Sequence, residues 1–347
     1  MASFDVTVRG AGIFGLSVAW ACLERGACVQ VIDPSGVGAG ASGGIVGALA
    51  PHTPENWNPK KAFQFESLLM ARALWPRIEA ITGMATGYCP SGRLQPIPDA
   101  RALERAQARA QTAQALWQGK AAWRIIEGGA GWQPQSPTGQ LIEDTLSAHL
   151  HPKHATQALA RAIEMRGGTL SREAEDGGAV VWATGAAGLA QLSEALGAQV
   201  GAGQKGQAAL FDLDRAGQPQ LFADALHIVP HHDGTVAVGS TSEAAFDPAL
   251  ADQTDAALDG IIARARAALP ELSDAPVIAR WAGLRPRARS RAPMLGPWPG
   301  RPGHFIANGG FKIGFGMAPK VGMVMADLLL EGKDTIPKGF RVEDSLS

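Results

Sequence analysis

The stretch Gly10-Ala11-Gly12-Ile13-Phe14-Gly15 stands between an alternating apolar run, Phe4 to Val8, and a run in which Ile13, Leu16, Trp20 and Leu23 recur at helical spacing. Three glycines so spaced, between a strand and a helix, leave few folds open. Gly10 permits a tight turn, Gly12 lets the backbone approach a pyrophosphate at the helix N-terminus, and Gly15 lets the helix pack on the strand. Gly26 stops the helix, Cys28 to Ile32 reads as a second strand, and Asp33 ends it eighteen residues past Gly15. A carboxylate there accepts hydrogen bonds from an adenosine ribose and disfavours a 2′-phosphate. The unit is a βαβ dinucleotide site. By itself the motif suits NAD as well as FAD, so an NAD-dependent dehydrogenase stays open at this point.

A chain of 347 residues with 46% hydrophobic content has room for two domains with real cores. Lys+Arg 31 against Asp+Glu 32 leaves a net charge of -1, so no global field draws it to nucleic acid or anionic membranes, and no nucleic-acid partner is expected. Cys22, Cys28 and Cys89 are an odd set without CxxC spacing, against both a disulfide framework and a zinc site. With no basic-then-apolar leader and no apolar run near the roughly 20 residues that span a bilayer, a cytoplasmic protein is expected.

Along the chain, a helix is expected from about 60 to 80, kinked by Pro76, then a helix-forming Ala/Arg/Gln run from Arg101 to Trp117. A helix from Thr156 to Arg166 and an apolar strand, Ala179 to Ala183, return to the first layer. Strand-rich sequence follows: 208 to 213, 226 to 230 and 235 to 239, the last two joined by His231-His232-Asp233-Gly234, a hairpin signal. A helix near 250 to 269, strands near 277 to 284 and 304 to 308, and a helix from 319 to 330 complete the reading. Helix–strand alternation at both ends around antiparallel β gives an α/β plus α+β fold of two discontinuous domains.

Two further glycine-rich loops accompany the first. Gly38-Ala39-Gly40-Ala41-Ser42-Gly43-Gly44 is long enough to run beside a pyrophosphate and leave Ile45 to Leu49 against a flat ring. The second, Asn308 to Gly316, leads into a helix whose dipole would stabilise negative charge on a reduced flavin. With Ala183-Thr184-Gly185 after its strand and Gly283-Leu284-Arg285-Pro286, these motifs stand in the order found in the glycine oxidase, D-amino-acid oxidase and sarcosine oxidase family, which the chain resembles over essentially its whole length. The resemblance implies noncovalent FAD in a Rossmann-like domain of residues 1–88, 139–203 and 282–347. It also implies a smaller antiparallel-sheet substrate domain, 89–138 and 204–281, roofing the flavin. The cofactor contacts expected are Gly10, Gly12, Ile13, Phe14, Gly15 and Asp33; Ala41, Ser42, Gly43, Gly47, Ala48 and Leu49; Thr184 and Gly185; and Gly309, Gly310, Phe311, Lys312, Ile313 and Gly314. The segment 169–178 is shorter than the family's usual β-meander, so adenine-side contacts there are not carried over.

On the substrate side, Arg285 matches the family arginine that clamps a substrate carboxylate, a task suited to a planar fork of donors. Arg280, Arg287, Arg289 and Arg291 read mostly as a solvated stretch. Lys312 stands where glycine-oxidase-like members carry a basic residue, and is either a carboxylate or flavin neighbour or an exposed lysine. His227 falls where the family often has a tyrosine, and Ser242 falls at another pocket wall. His52 follows the flavin-side loop and is placed to touch ring or substrate. His149, His151 and His154 surround a helix start without a matching acid or cysteine, so they read as a solvated helix end and no metal is expected. The resulting activity is oxidation of the C–N bond of an amino acid or related amine by hydride transfer to flavin N5, with oxygen or another electron acceptor. The alternative is a flavoprotein subunit or RNA-modification module acting with a larger partner.

Overall fold

The computed structural model describes residues 4–346. A six-stranded sheet runs, in spatial order, Met294–Pro297, His304–Asn308, Ala179–Trp182, Val6–Arg9, Val29–Ile32 and Thr169–Ser171, and every neighbouring pair but the first is parallel. Its central strand, Val-Thr-Val-Arg, is buried over Val6 to Val8 because helices and neighbouring strands cover it. The helix Ile13–Leu23 is buried on nearly every side, against Pro152–Met165 and Gly314–Glu331. That explains why its sequence is apolar throughout and only weakly amphipathic.

An eight-stranded sheet forms the second layer, in the order Val277–Ala288, Gly201–Asp212, Thr235–Gly239, Leu226–Pro230, Gln220–Ala223, Arg93–Pro96, Gln140–Asp144 and Trp123–Glu127. All its pairs are antiparallel except Gln220–Ala223 with Arg93–Pro96. Helix Ala256–Ala268, capped by the Asp255 carboxylate, closes a separate core of Phe211, Leu221, Ile228, Val236, Val238 and Leu258. A short ladder, Ala48–Leu49 with Ala148–His149, joins the layers.

The hairpin at His231–Gly234 is present, with His227 opposite Gly239. Several elements outrun their sequence boundaries. The strand expected to stop at Leu284 continues to Ala288, because Gly201–Asp212 pairs with it along its whole length. The strand Gln140–Asp144 hydrogen-bonds into the larger sheet, not the parallel one. The second helix begins at Pro59, capped by the Asn58 side chain, and continues through Pro76 to Thr82, with Pro76 on its exposed side. The last helix starts five residues early, at Gly314. Where the sequence reading finds no run long enough to span a bilayer, Phe311–Glu331 qualifies by length and composition, with mean hydropathy 1.5. Half of it is buried, and it packs on Ile13–Leu23 and Pro59–Thr82 as a core helix.

Candidate functional site

Four loops leave the carboxyl ends of four adjacent strands. Gly309 follows His304–Asn308, Ala183-Thr184 follows Ala179–Trp182, Gly10 follows Val6–Arg9, and Asp33 follows Val29–Ile32. In an open parallel sheet that edge is where a ligand is held, because the loops diverge there and helix N-termini face outward. The glycines are required by contact. Gly10 has φ +113, and a Cβ on it would stand 2.3 Å from the Ala183 carbonyl oxygen; one on Gly15 would stand 1.9 Å from the Gly10 oxygen. Gly12 caps the helix without a side-chain bond, and a Cβ there would meet only Ser42 Oγ, at 3.2 Å, so its outer side is open.

The loop of Ala41–Gly43 folds over this helix start as a single 3₁₀ turn. Ser42 Oγ accepts from Ile13 N at 2.9 Å, and Thr156 Oγ1 donates to Ser42 O at 3.2 Å. Asp33 Oδ2 accepts from Ala11 N at 2.8 Å and Oδ1 from Ser35 N at 2.9 Å, which fixes the carboxylate while leaving each oxygen a lone pair. From the other end of the chain, Asn308 Nδ2 donates to Gly185 O, and Gly310 lies against the Phe14 ring.

The strand Val277–Ala288 crosses this crevice from the second layer. Trp281, Gly283, Arg285 and Arg287 share one of its faces by the two-residue period. At one end the Trp281 ring lies 3.3 Å from a Cβ built on Gly44; at the other the Arg287 guanidinium stands 5.3 Å from the Phe311 ring. Between them Arg285 is only 8% exposed, flat against Gly206 of the neighbouring strand, and Nη1 donates to the Thr241 carbonyl at 3.1 Å. It has no ion-pair partner among the described residues. Burial brings its pKa down to about 10, with Glu243 opposing. A desolvated guanidinium with one carbonyl bond and spare donors is built to receive an anion.

Residues 5–328 match the family model described as DAO, FAD dependent oxidoreductase. The chain belongs to the DAO family. A bifunctional ThiO/ThiG protein of Nostoc sp. is 28% identical over 367 residues, covering 95% of this chain and 53% of its own, so the chain spans about half the length of that relative. A glycine oxidase of Bacillus licheniformis is 27% identical, covering 94% of this chain and 93% of its own. Among solved structures, glycine oxidase from Geobacillus kaustophilus superposes with TM-score 0.83 at 21% identity, covering 98% of both chains. Iminodiacetate oxidase from Chelativorans sp. BNC1 gives 0.82 at 20%, over 97% of this chain and 98% of its own. These likenesses carry the two-layer fold.

DAO membership makes FAD the cofactor and closes the NAD reading. The crevice fits it: an uncapped helix start behind open Gly12 for the pyrophosphate, and Asp33 with free lone pairs for a ribose. Gly47, Ala48 and Leu49 lie further in; a Cβ on Gly47 would strike the Leu150 carbonyl, and Leu49 is fully buried. Thr184 starts the helix Gly185–Ala195, and Gly309 takes φ +80 ahead of the 3₁₀ turn Phe311–Ile313, which leads into Gly314.

The remaining DAO pocket expectations spread unevenly. Lys312 is exposed, with Nζ 5.8 Å from the Phe311 ring; desolvation, then Arg285 and Arg287, hold its pKa below the usual lysine value. His227 is half-buried on the roof, with Nδ1 3.3 Å from Gln220 Oε1, and desolvation followed by Arg93 and Lys312 takes its pKa to about 3. It is therefore neutral. His52 is held by Gln64, whose amide donates to Ala50 O, so Oε1 must accept from both His52 N and Nδ1–H, leaving Nε2 unprotonated. Ser242 is exposed; it is the carbonyl of adjacent Thr241 that holds Arg285.

Sequence reasoning missed Arg287, placed in a solvated stretch yet half-buried against Phe311. Its two-residue spacing from Arg285 was the available signal. It also missed the polar group beneath the strand Gly201–Asp212. There Gln207 Nε2 donates to Glu243 and Asp255, and the nearly buried Lys205 pairs with Asp255 at 3.0 Å. The solvated reading of the histidines is corrected as well, since His149 is 1% and His151 7% exposed, closed over by Cys89 and by the His231 hairpin.

Proposed function

We propose that this chain oxidises the C–N bond of a small amine bearing a carboxylate. The observation that carries the reading is Arg285, a buried and unpaired cation on the roof strand, between the Trp281 contact to the cofactor loop and the Arg287 contact to Phe311. Bound FAD would supply the hydride acceptor for the carbon that carries nitrogen, and hydrolysis of the resulting imine would give a carbonyl compound and an amine or ammonia. The protein contributes orientation and dryness. Arg285 holds the carboxylate through two parallel bonds, Lys312 and Arg287 add positive charge at the rim, and neutral His227 keeps the roof free of a competing cation. The names of the glycine oxidase and iminodiacetate oxidase relatives, each of a small amine that bears carboxylate, support this class.

The same proposal includes noncovalent FAD, oxygen or another acceptor as oxidant, and a cytoplasmic site of action consistent with three free cysteines. It keeps the cofactor part (1–88, 139–203, 282–347) and the roof part (89–138, 204–281), with residues 140–144 assigned to the roof by their pairing. The test is an anaerobic visible spectrum of the purified protein titrated with glycine, N-methyl and D-amino acids. Bleaching by one class, lost in Arg285→Ala while flavin absorbance at rest is kept, supports the reading. Equal bleaching rates in the variant would sink the role of Arg285. A second reading is favoured by the match to half of a bifunctional protein: the flavoprotein acts beside a partner that takes its product. Its signature is copurification with that partner, and slow turnover without it.

A further inference from the structure

The turn of the roof hairpin brings a carboxylate to histidines that the sequence leaves without one. His151 caps the helix Pro152–Met165, and His154 lies in its first turn with its ring stacked on that of His151, centroids 3.8 Å apart and planes 13° apart. From the hairpin, Asp233 Oδ2 stands 3.9 Å from His151 Nε2. One ligand atom from each of His151, His154 and Asp233 falls within 4.8 Å of the others, so all three lie within about 2.8 Å of a common centre. A bound ion lies in the plane of each imidazole, so the half-buried His154 ring must turn out of its stack on His151 to bring the ligand atoms to the roughly 2.0–2.2 Å of zinc–nitrogen and zinc–oxygen bonds.

We propose that His151, His154 and Asp233 bind one divalent transition-metal ion of the zinc or nickel class, clasping the roof hairpin to the helix of the cofactor layer. His232, whose ring centroid is 5.3 Å from that of His154, stands beside this set without joining it, so the fourth position is left to solvent. Two imidazoles and a carboxylate suit these ions better than calcium or magnesium, which take oxygen donors. The site also has outer support. Thr235 Oγ1 donates to Asp233 Oδ1 at 2.7 Å, which leaves Oδ2 directed at His151, and His231 Nδ1 is 3.1 Å from the same hydroxyl. Because the Thr235 proton goes to Asp233, the His231 bond to it is a donation, and the buried His231 ring backs His151 at a centroid distance of 4.5 Å. A helix N-terminus alone repels a cation, and Asp233 supplies the charge that offsets it. Binding through His151 Nε2 puts the ring proton on Nδ1 and so gives up the long 3.4 Å cap from His154 N to His151 Nδ1.

The experiment uses FAD-loaded protein without a polyhistidine tag, equilibrated with zinc chloride; one portion is desalted and assayed for zinc by mass spectrometry, and the unfolding midpoint of the other is read by flavin fluorescence with the zinc present. One zinc ion per chain and a midpoint raised by roughly 3–4 °C at a hundredfold excess over Kd are expected. His154→Ala and Asp233→Asn, both at accessible positions, keep the flavin spectrum and lose both the ion and the shift. Retention far below one ion per chain, or equal retention in both variants, overturns the site. A parallel incubation with nickel chloride that loads one ion per chain, lost in the same two variants, also upholds it.

Discussion

Gly206 sets the position of the Arg285 guanidinium, and a single methyl group at that glycine should move it. A Cβ on Gly206 would lie 1.7 Å from Nη2 and 2.1 Å from Cζ of Arg285. Reaching an ordinary 3.4 Å contact requires the guanidinium to retreat by about 1.7 Å. The obstacle is the end of a flexible side chain rather than backbone, so the strand itself is spared, and alanine suits a strand interior no worse than glycine. The carboxylate partner, held above the cofactor loop, does not follow. Losing one of two charge-assisted bonds costs about 1.5–3 kcal/mol, and an ångström of misplacement costs on the order of a hundredfold in rate. Gly206→Ala should therefore raise KM for the amine substrate, and Kd for a simple carboxylate read as a flavin spectral perturbation, by roughly 10- to 150-fold. The flavin content and unfolding midpoint should stay at wild-type values. A carboxylate Kd within threefold of wild type, with the fold intact, refutes the placement of the anion at Arg285.

Asp33→Ala removes the acceptor fixed by Ala11 N and Ser35 N, and should weaken FAD about 10- to 100-fold, seen as flavin lost on gel filtration; full retention would assign Asp33 to loop structure alone. Asp144→Asn breaks the buried pair with Arg93 Nε at 2.8 Å and should cost about 3–5 kcal/mol in urea unfolding, whereas a cost under about 1 kcal/mol would show the guanidinium finding other partners. For His227, the folded pKa of about 3 lies below the unfolded value near 6.5, so the unfolded chain binds the extra proton. Its contribution to stability is complete above pH 6.5 and is lost as pH falls toward 3, with a slope of at most about 1.4 kcal/mol per pH unit. His227→Gln should flatten the unfolding free energy measured in urea from pH 7 to pH 4 by up to that amount, and identical slopes would contradict a desolvated, neutral ring.

The cofactor layer is legible because its signals are local. Gly10, Gly12, Gly15 and Asp33 fall within one strand–turn–helix–strand unit whose spacing is set by close backbone approaches. The roof is less so. Arg93–Pro96 is short and half-exposed, and it exists because Gln140–Asp144 and Gln220–Ala223 from distant segments pair with it, which no local propensity records; Trp123–Glu127 is an edge strand held by Gln140–Asp144 alone. Arg285 was singled out by motif, but its seat on Gly206 arises from register between strands about eighty residues apart, and its bond to Thr241 comes from the loop 44 residues before it. The histidine cluster was unreadable for the same reason: its acid comes from a hairpin turn far along the chain.

The four strand ends proposed to cradle the cofactor are separated by almost the whole chain, from Gly10 to Gly309. The holo state thus cannot be reached piecemeal. At about 5–20 residues per second of synthesis, the last of those ends emerges roughly 15–60 s after the first, and until then the βαβ unit has its motif but not its binding site. Flavin capture becomes a late checkpoint in the life of the molecule, and yellow colour in a cell extract counts chains that have been completed and closed, not merely made. Supply of the cofactor then pulls the folding equilibrium at its final step.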